Sequence, residues 1–174
     1  KQYIMKKKVL ITITTVLGVL LLVVIAYFIY VFASYSRVED NLSLEPVNIN
    51  VVNESVSLNE TYSILTYNIG FGAYTSDYSF FMDGGRYSWA RSEEGLRTNI
   101  QNIGNTINEL NPDFVIMQEV DTNGTRTYHV NEFEMLQDSI GDGDYIFCMN
   151  YHSAFLMYPI LEPHGANESG LVTY

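Results

Sequence analysis

Cysteine occurs once, as Cys148, so an internal disulfide is excluded. Its apolar neighbours, Tyr145-Ile-Phe-Cys-Met, give it the reading of a small buried hydrophobe. Lysine is missing after Lys8, and past Arg37 only four arginines face all 20 acids, so residues 38–174 carry a net charge of −16. Such a surface repels polyanions and lacks the phosphate-neutralising term that dominates nucleic-acid affinity, which argues against a nucleic-acid partner unless metal ions intervene. No internal repeat or low-complexity tract occurs. Charge is also absent from Val9 to Ala33, a run of 25 residues.

That uncharged run exceeds the roughly 20 residues needed to cross a bilayer. Lys6, Lys7 and Lys8 precede it, and no small-x-small cleavage site follows. The segment therefore reads as an uncleaved signal anchor rather than a removable signal peptide. The lysines hold the amino end in the cytoplasm and leave the remainder extracytoplasmic, while Tyr27, Phe28, Tyr30 and Phe32 suit the outer aromatic belt. The expected organisation is a basic cytoplasmic tail (1–8), a transmembrane anchor (9–33), a tether (34–46) and a domain (47–174). Sequons at Asn53, Asn59, Asn123 and Asn167 read as coincidences behind a leader of this kind.

Residues 47–52 alternate apolar and polar at period two and predict a first strand. Tyr62-Ser-Ile-Leu-Thr-Tyr-Asn-Ile-Gly predicts a second, ending at Asn68 and Gly70. Gly70 and Gly72 allow a tight bend or a close approach to a ligand. Residues 71–90 form a long loop dense in aromatics, readable as a lid over a site, a patch dipping into the membrane, or a cover for a sheet edge. Ser92 caps a helix with Glu93 and Glu94 in its first turn, and Leu96, Ile100, Ile103, Ile107 and Leu110 form one apolar stripe that Pro112 ends.

Next comes Asn111-Pro-Asp-Phe-Val-Ile-Met-Gln-Glu-Val-Asp121, whose four consecutive apolar residues predict a strand buried on both faces. Glu119 at its carboxyl end is a metal ligand, a catalytic base or the partner of a buried cation. A strand–helix–strand unit makes the two strands parallel, so Asn68 and Glu119 share one sheet edge. Two oxygen ligands at one mouth fit a hard cation such as Mg²⁺. Arg126 and His129, in the polar loop that follows, either contact a phosphate or pair with nearby acids. Residues 130–140 predict a second helix. Tyr145-Ile-Phe-Cys-Met and Ser153-Ala-Phe-Leu-Met-Tyr predict neighbouring strands, a loop holds Pro163-His164-Gly165, and Gly170-Leu-Val-Thr-Tyr starts one more strand.

Taken together, Leu65-Thr-Tyr-Asn-Ile, the amphipathic helix and Pro112-Asp-Phe-Val-Ile-Met-Gln-Glu-Val resemble the amino-terminal half of the endonuclease/exonuclease/phosphatase superfamily, which includes exonuclease III-like and DNase I-like enzymes. The resemblance runs from about residue 61 onward, and Gly170-Leu-Val-Thr-Tyr is similar to a Gly-x-x-x-Ser strand with Thr173 in place of Ser. It implies an α/β (α+β) fold, half of a four-layer sandwich with a mixed sheet. The implied activity is phosphoester hydrolysis with Mg²⁺ or Mn²⁺, as a phosphodiesterase or phosphatase, with a phospholipid or small phosphoester as substrate. Asn68 and Glu119 are the implied catalytic and metal-site residues, Glu119 as metal ligand, with Arg126, His129 and His164 as substrate or phosphate contacts. The family's second-half Ser-Asp-His motif does not occur in the sequence. The expectation is therefore a half domain that does not turn over substrate by itself, and a non-catalytic interaction domain on the same fold is the second reading. A nuclease is the third.

Overall fold

A computed structural model describes residues 2–47, 56–141 and 143–174, arranged as two compact units, Lys1–Tyr35 and Ser36–Tyr174. The first is a single helix, α1 (Gln2–Ala33), long and apolar enough to cross a membrane, with a mean hydropathy of 2.9 in its most apolar window. None of its residues is buried. A helix apolar all round has no face to pack on a small core, and at about 1.5 Å per residue it exceeds a bilayer's hydrocarbon thickness.

The second unit is α+β. Among the described residues its strands are β1 (Ile64–Asn68), β2 (Phe114–Gly124), β3 (Ile146–His152) and β4 (Asn167–Thr173), in sheet order β1-β2-β4-β3. β1 and β2 run parallel, in register from Ile64 opposite Phe114 to Asn68 opposite Gln118, and both pairings of β4 are antiparallel, so the sheet is mixed. Between the parallel strands lies α2 (Glu93–Leu110). The side chain of Ser92 accepts from the Gly95 N–H, and Asn111 closes the helix in the left-handed conformation. Its apolar stripe buries Leu96, Ile100, Ile103 and Ile107, while Leu110 projects into solvent past the last turn of the packed face. α3 (Glu132–Ile140), capped by Asn131, adds Leu136 to the same core.

Two expectations are corrected by this layering. β2 is not buried on both faces: Val115 and Met117 lie under the helices, whereas Phe114 and Ile116 are each 36% exposed. A run of apolar residues carries no mark of which face lacks a cover, and both helices pack on one side only. The segment 153–158 is not a neighbouring strand. After a last backbone bond from Ser153 to Asn167 it leaves the sheet, and Leu156 forms an isolated bridge with Gly165. Of the strand expected over 47–52, Val47 bridges Tyr145, and residues 48–52 lie outside the described residues.

The aromatic loop folds on itself. Gly70, Phe71 and Gly72 all take positive φ, and a Cβ on Gly72 would strike Leu96 and Ile100. Phe71 is thereby turned inward, where Tyr74, Tyr78 and Phe80 pack edge-on around it. Ser79 and Phe80 pair with Gly85, Arg86 and Tyr87 through the backbone. The far side is tied to the later loop: the Trp89 indole N–H donates to the Pro163 carbonyl at 2.7 Å, and Ser88 binds Glu162.

Candidate functional site

Glu119 sits where the parallel ladder stops. β2 itself continues to Gly124, so Glu119 is inside a strand rather than at its end, a correction to the expected position. Between Met117 opposite Val172 and Val120 opposite Gly170, the residues Gln118 and Glu119 face the single residue Leu171. This is a β-bulge, and Glu119 takes φ +57°, which is rare for a non-glycine residue. A plain strand would send Glu119 to the helix-covered face with Met117. The extra residue instead keeps both Gln118 and Glu119 on the other side, where they line a cleft of about 580 Å³.

Asn68 ends β1 opposite Gln118. Its side-chain oxygen accepts the Gly70 N–H at 2.9 Å, which turns its Nδ2 outward to donate to Glu119 Oε1, also at 2.9 Å. Both ends of the amide are thus assigned by their partners. Asn68 holds the carboxylate from its nitrogen side, and its oxygen is engaged by the backbone.

The same cleft takes in Arg126 and His164, so four of the five expected residues converge on it. Arg126 is only 7% exposed. Its Nε and Nη2 donate to Asp121 Oδ2 and Oδ1 at 2.9 and 2.8 Å, and its guanidinium carbon lies 3.9 Å from the centre of the Phe71 ring. Burial works against its charge, but the hydrogen bonds and charge of Asp121, with Glu132 and Glu119 nearby, outweigh that and raise its pKa. Of the two possibilities for Arg126, pairing with an acid is therefore realised. Glu132, fully buried, accepts the Asp121 N–H at 2.9 Å through Oε2, and its Oε1 has no partner. Burial first, and then the Asp121 charge, push its carboxyl well above the ordinary range.

His129 stands apart from the cleft. Its Nδ1 lies 2.8 Å from Asn123 Oδ1, so the two side chains hold each other. Asn167 is buried, with its oxygen accepting the Arg126 N–H and its nitrogen donating to the His164 carbonyl. An acceptor asparagine for a glycan has to be exposed, so this sequon is structural.

His164 is 1% exposed, with its ring against Phe80 and Phe81 and its Nδ1 3.4 Å from the Ser88 carbonyl. Burial, aided by the Arg126 charge, depresses its pKa to about 4. At neutral pH it is an uncharged imidazole. This sets a pH dependence of stability. Between pH 6.5 and about 4 the unfolded chain binds a proton that the folded His164 refuses, so stability falls as pH falls through that window. The full effect is about 3 kcal/mol. Glu132 has the opposite sign: its raised folded pKa makes stability fall as pH rises from its unfolded value of 4.5 toward the folded one. Denaturant unfolding at a series of pH values is expected to show an acid limb that flattens in His164→Gln. An unaltered limb in that variant would mean that His164 is not held neutral.

The remaining polar groups on the cleft wall are Tyr74, Asp83, Asn150, Tyr151 and Ser169, none of which stands out in the sequence. Tyr74 donates to Asp83 at 3.1 Å, and burial together with that bond pushes its pKa up to about 12. Glu132 is also invisible to sequence reading, because a first-turn acid looks like ordinary support of the helix dipole. Among the described residues no group of three or more His, Cys, Asp or Glu side chains is placed to hold a metal ion. A cation at Glu119 would have one protein carboxylate and would complete its shell with water or substrate oxygens. Searches against family models, curated proteins and solved structures found no match for this chain.

Proposed function

We propose that the chain is a membrane-anchored, extracytoplasmic, metal-dependent phosphoester hydrolase of the endonuclease/exonuclease/phosphatase type. Its sheet would then be one half of a four-layer sandwich, with the uncovered face of β2 meeting the other half. The observation that carries the reading is Glu119: a carboxylate held at positive φ on a bulge, fixed by Asn68, inside a cleft at the end of the parallel ladder. Backbone strain of this kind persists only where the surroundings over-determine it, and it clusters at functional sites.

In this reading Glu119 holds a divalent ion and Asn68 fixes the direction of its carboxylate. The ion supplies Lewis-acid stabilisation of phosphoryl charge and an acidified water. His164, buried and uncharged at neutral pH, backs the cleft wall without adding charge. Arg126, already neutralised by Asp121, shapes the wall more than it attracts an anion. The net charge of −16 over residues 38–174 favours a phospholipid or a small phosphoester over nucleic acid. Lys6, Lys7 and Lys8, near the start of α1, favour a cytoplasmic amino end.

Chelation provides the test. Full chain in membranes, stripped with EDTA and then given Mn²⁺, is expected to show Mn²⁺ bound at Glu119 by electron paramagnetic resonance, while turnover of a phosphodiester reporter is not expected from the half domain by itself. Failure to bind Mn²⁺, or hydrolysis indifferent to chelation, would overturn the assignment. The second reading, an interaction domain without catalysis, is favoured by both cleft carboxylates already having protein partners, Glu119 in Asn68 and Asp83 in Tyr74. It is supported if neither Mn²⁺ binding nor hydrolysis is found.

A further inference from the structure

We infer that the loop from Leu156 to Gly165 is a membrane-docking element whose tip, Ile160-Leu161, enters the lipid interface beside the cleft. The loop is closed at its base by reciprocal hydrogen bonds between Leu156 and Gly165, each 3.0 Å. At its far end the Glu162 N–H donates to the Pro159 carbonyl at 3.2 Å, which makes Ile160 and Leu161 the two central residues of a turn. Such positions ordinarily go to Gly, Asn, Asp or Ser. Here they hold two large aliphatic side chains, 83% and 100% exposed. Tyr158 and Met82 add further exposed apolar area, and the Tyr158 ring packs on Phe81 at 5.8 Å, which brings the two segments together.

The tip is displayed on a fixed base. Glu162 accepts from Ser88, the Pro163 carbonyl accepts from Trp89, and His164 donates its backbone N–H to the Tyr158 carbonyl at 3.2 Å. A rigid, convex apolar turn loses little conformational freedom on insertion. Its shape also distinguishes the partner. A stable protein interface needs about 800 Å² from each side with matched shape, which a two-residue tip does not offer. A bilayer interface takes up apolar side chains without a complementary surface, and a tyrosine ring suits the headgroup level. The loop itself carries Glu162 and no Lys or Arg, and the turn that brings Met82 beside it holds Asp83 and Arg86. Together these charges are not net positive, so an anionic surface gains nothing here and the surface selected is zwitterionic. Because His164 is both the base of this loop and part of the cleft wall, docking would bring headgroup phosphates to the side of the cleft that holds Glu119.

The inference rests on reading α1 as a bilayer span, and the two are separable by experiment. The full chain carrying Cys148→Ser is given a single cysteine, either Leu161→Cys or, as a control on the exposed side of α2, Glu109→Cys. Each is labelled with an environment-sensitive fluorophore and reconstituted in phosphatidylcholine vesicles containing nitroxide lipids. Emission at position 161 is expected to be blue-shifted and quenched several-fold more strongly than at 109, and adding Ile160→Asp is expected to return it to an aqueous spectrum. An aqueous spectrum at 161 in chains that resist alkaline carbonate extraction would overturn the loop and leave the anchor standing. Release by carbonate would remove the anchor and the inference with it. Shielding of 161 from iodide without quenching by lipid nitroxide would identify a protein neighbour and overturn the lipid assignment.

Discussion

Replacing Arg126 with methionine is expected to destabilise the domain by about 3–5 kcal/mol, the range for removing one member of a buried ion pair. Asp121 is fully buried, and its two carboxylate oxygens are satisfied by Arg126 Nε and Nη2, with Thr127 at 3.4 Å as a weaker partner. Without the guanidinium, Asp121 must either carry an uncompensated charge or take up a proton next to Glu132, which is already pushed toward its protonated form. The stacking contact with Phe71 is lost as well. Denaturant unfolding of the single variant and of Asp121→Leu/Arg126→Met separates the causes. The double variant is expected to recover most of the loss, because an apolar pair of similar volume is often neutral. A single variant within about 1 kcal/mol of the parent, the scale of a solvated surface pair, would show that Asp121 is accessible to water.

The second large effect concerns Glu119, and it runs in opposite directions for stability and function. Glu119→Gly is expected to stabilise the domain by about 1 kcal/mol, because glycine accepts the φ of +57° without the steric conflict of a Cβ. The same change removes the carboxylate, and with it Mn²⁺ binding and any metal-dependent hydrolysis. Glu119→Gln keeps the strain and loses the charge, so it should abolish metal binding while leaving the unfolding midpoint nearly unchanged. Thermal unfolding and Mn²⁺ resonance on the two variants check the pair together. If glycine destabilises, the bulge is set by side-chain contacts of Glu119 and not by the strands around it. If Mn²⁺ still binds to Glu119→Gln, another group holds the ion.

The strand–helix–strand unit was open to sequence reading because each part carries a local signal: Ser92 and Pro112 bracket α2, its stripe repeats at helical spacing, and β1 ends in Asn68-Ile-Gly. The juxtaposition of Asn68 and Glu119 follows from that topology alone. The bulge at Glu119 does not, because it is a property of how β2 pairs with β4, and Gln118-Glu119 after four apolar residues looks the same as a strand's end. The burial of Arg126 depends on Asp121 and Phe71 arriving from different segments, so its surroundings were equally hidden. The segment 153–158 has the composition of a strand, but its apolar side chains are those of a loop that carries them outward.

β2 departs from its partner β4 twice, once at Gln118-Glu119 and again between Asp121 and Asn123. Each departure inverts the alternation of side chains, so the second undoes the first. Met117 and Asn123 stand in the phase they would have in an unbroken strand, and only the short window around Val120 and Asp121 is inverted. The window carrying Glu119 and Asp121 is thus insulated from the rest of the sheet. Within it Val120 and Asp121 are buried, so only Glu119, which faces the cleft, is open to change without touching the packing of Val115 and Met117.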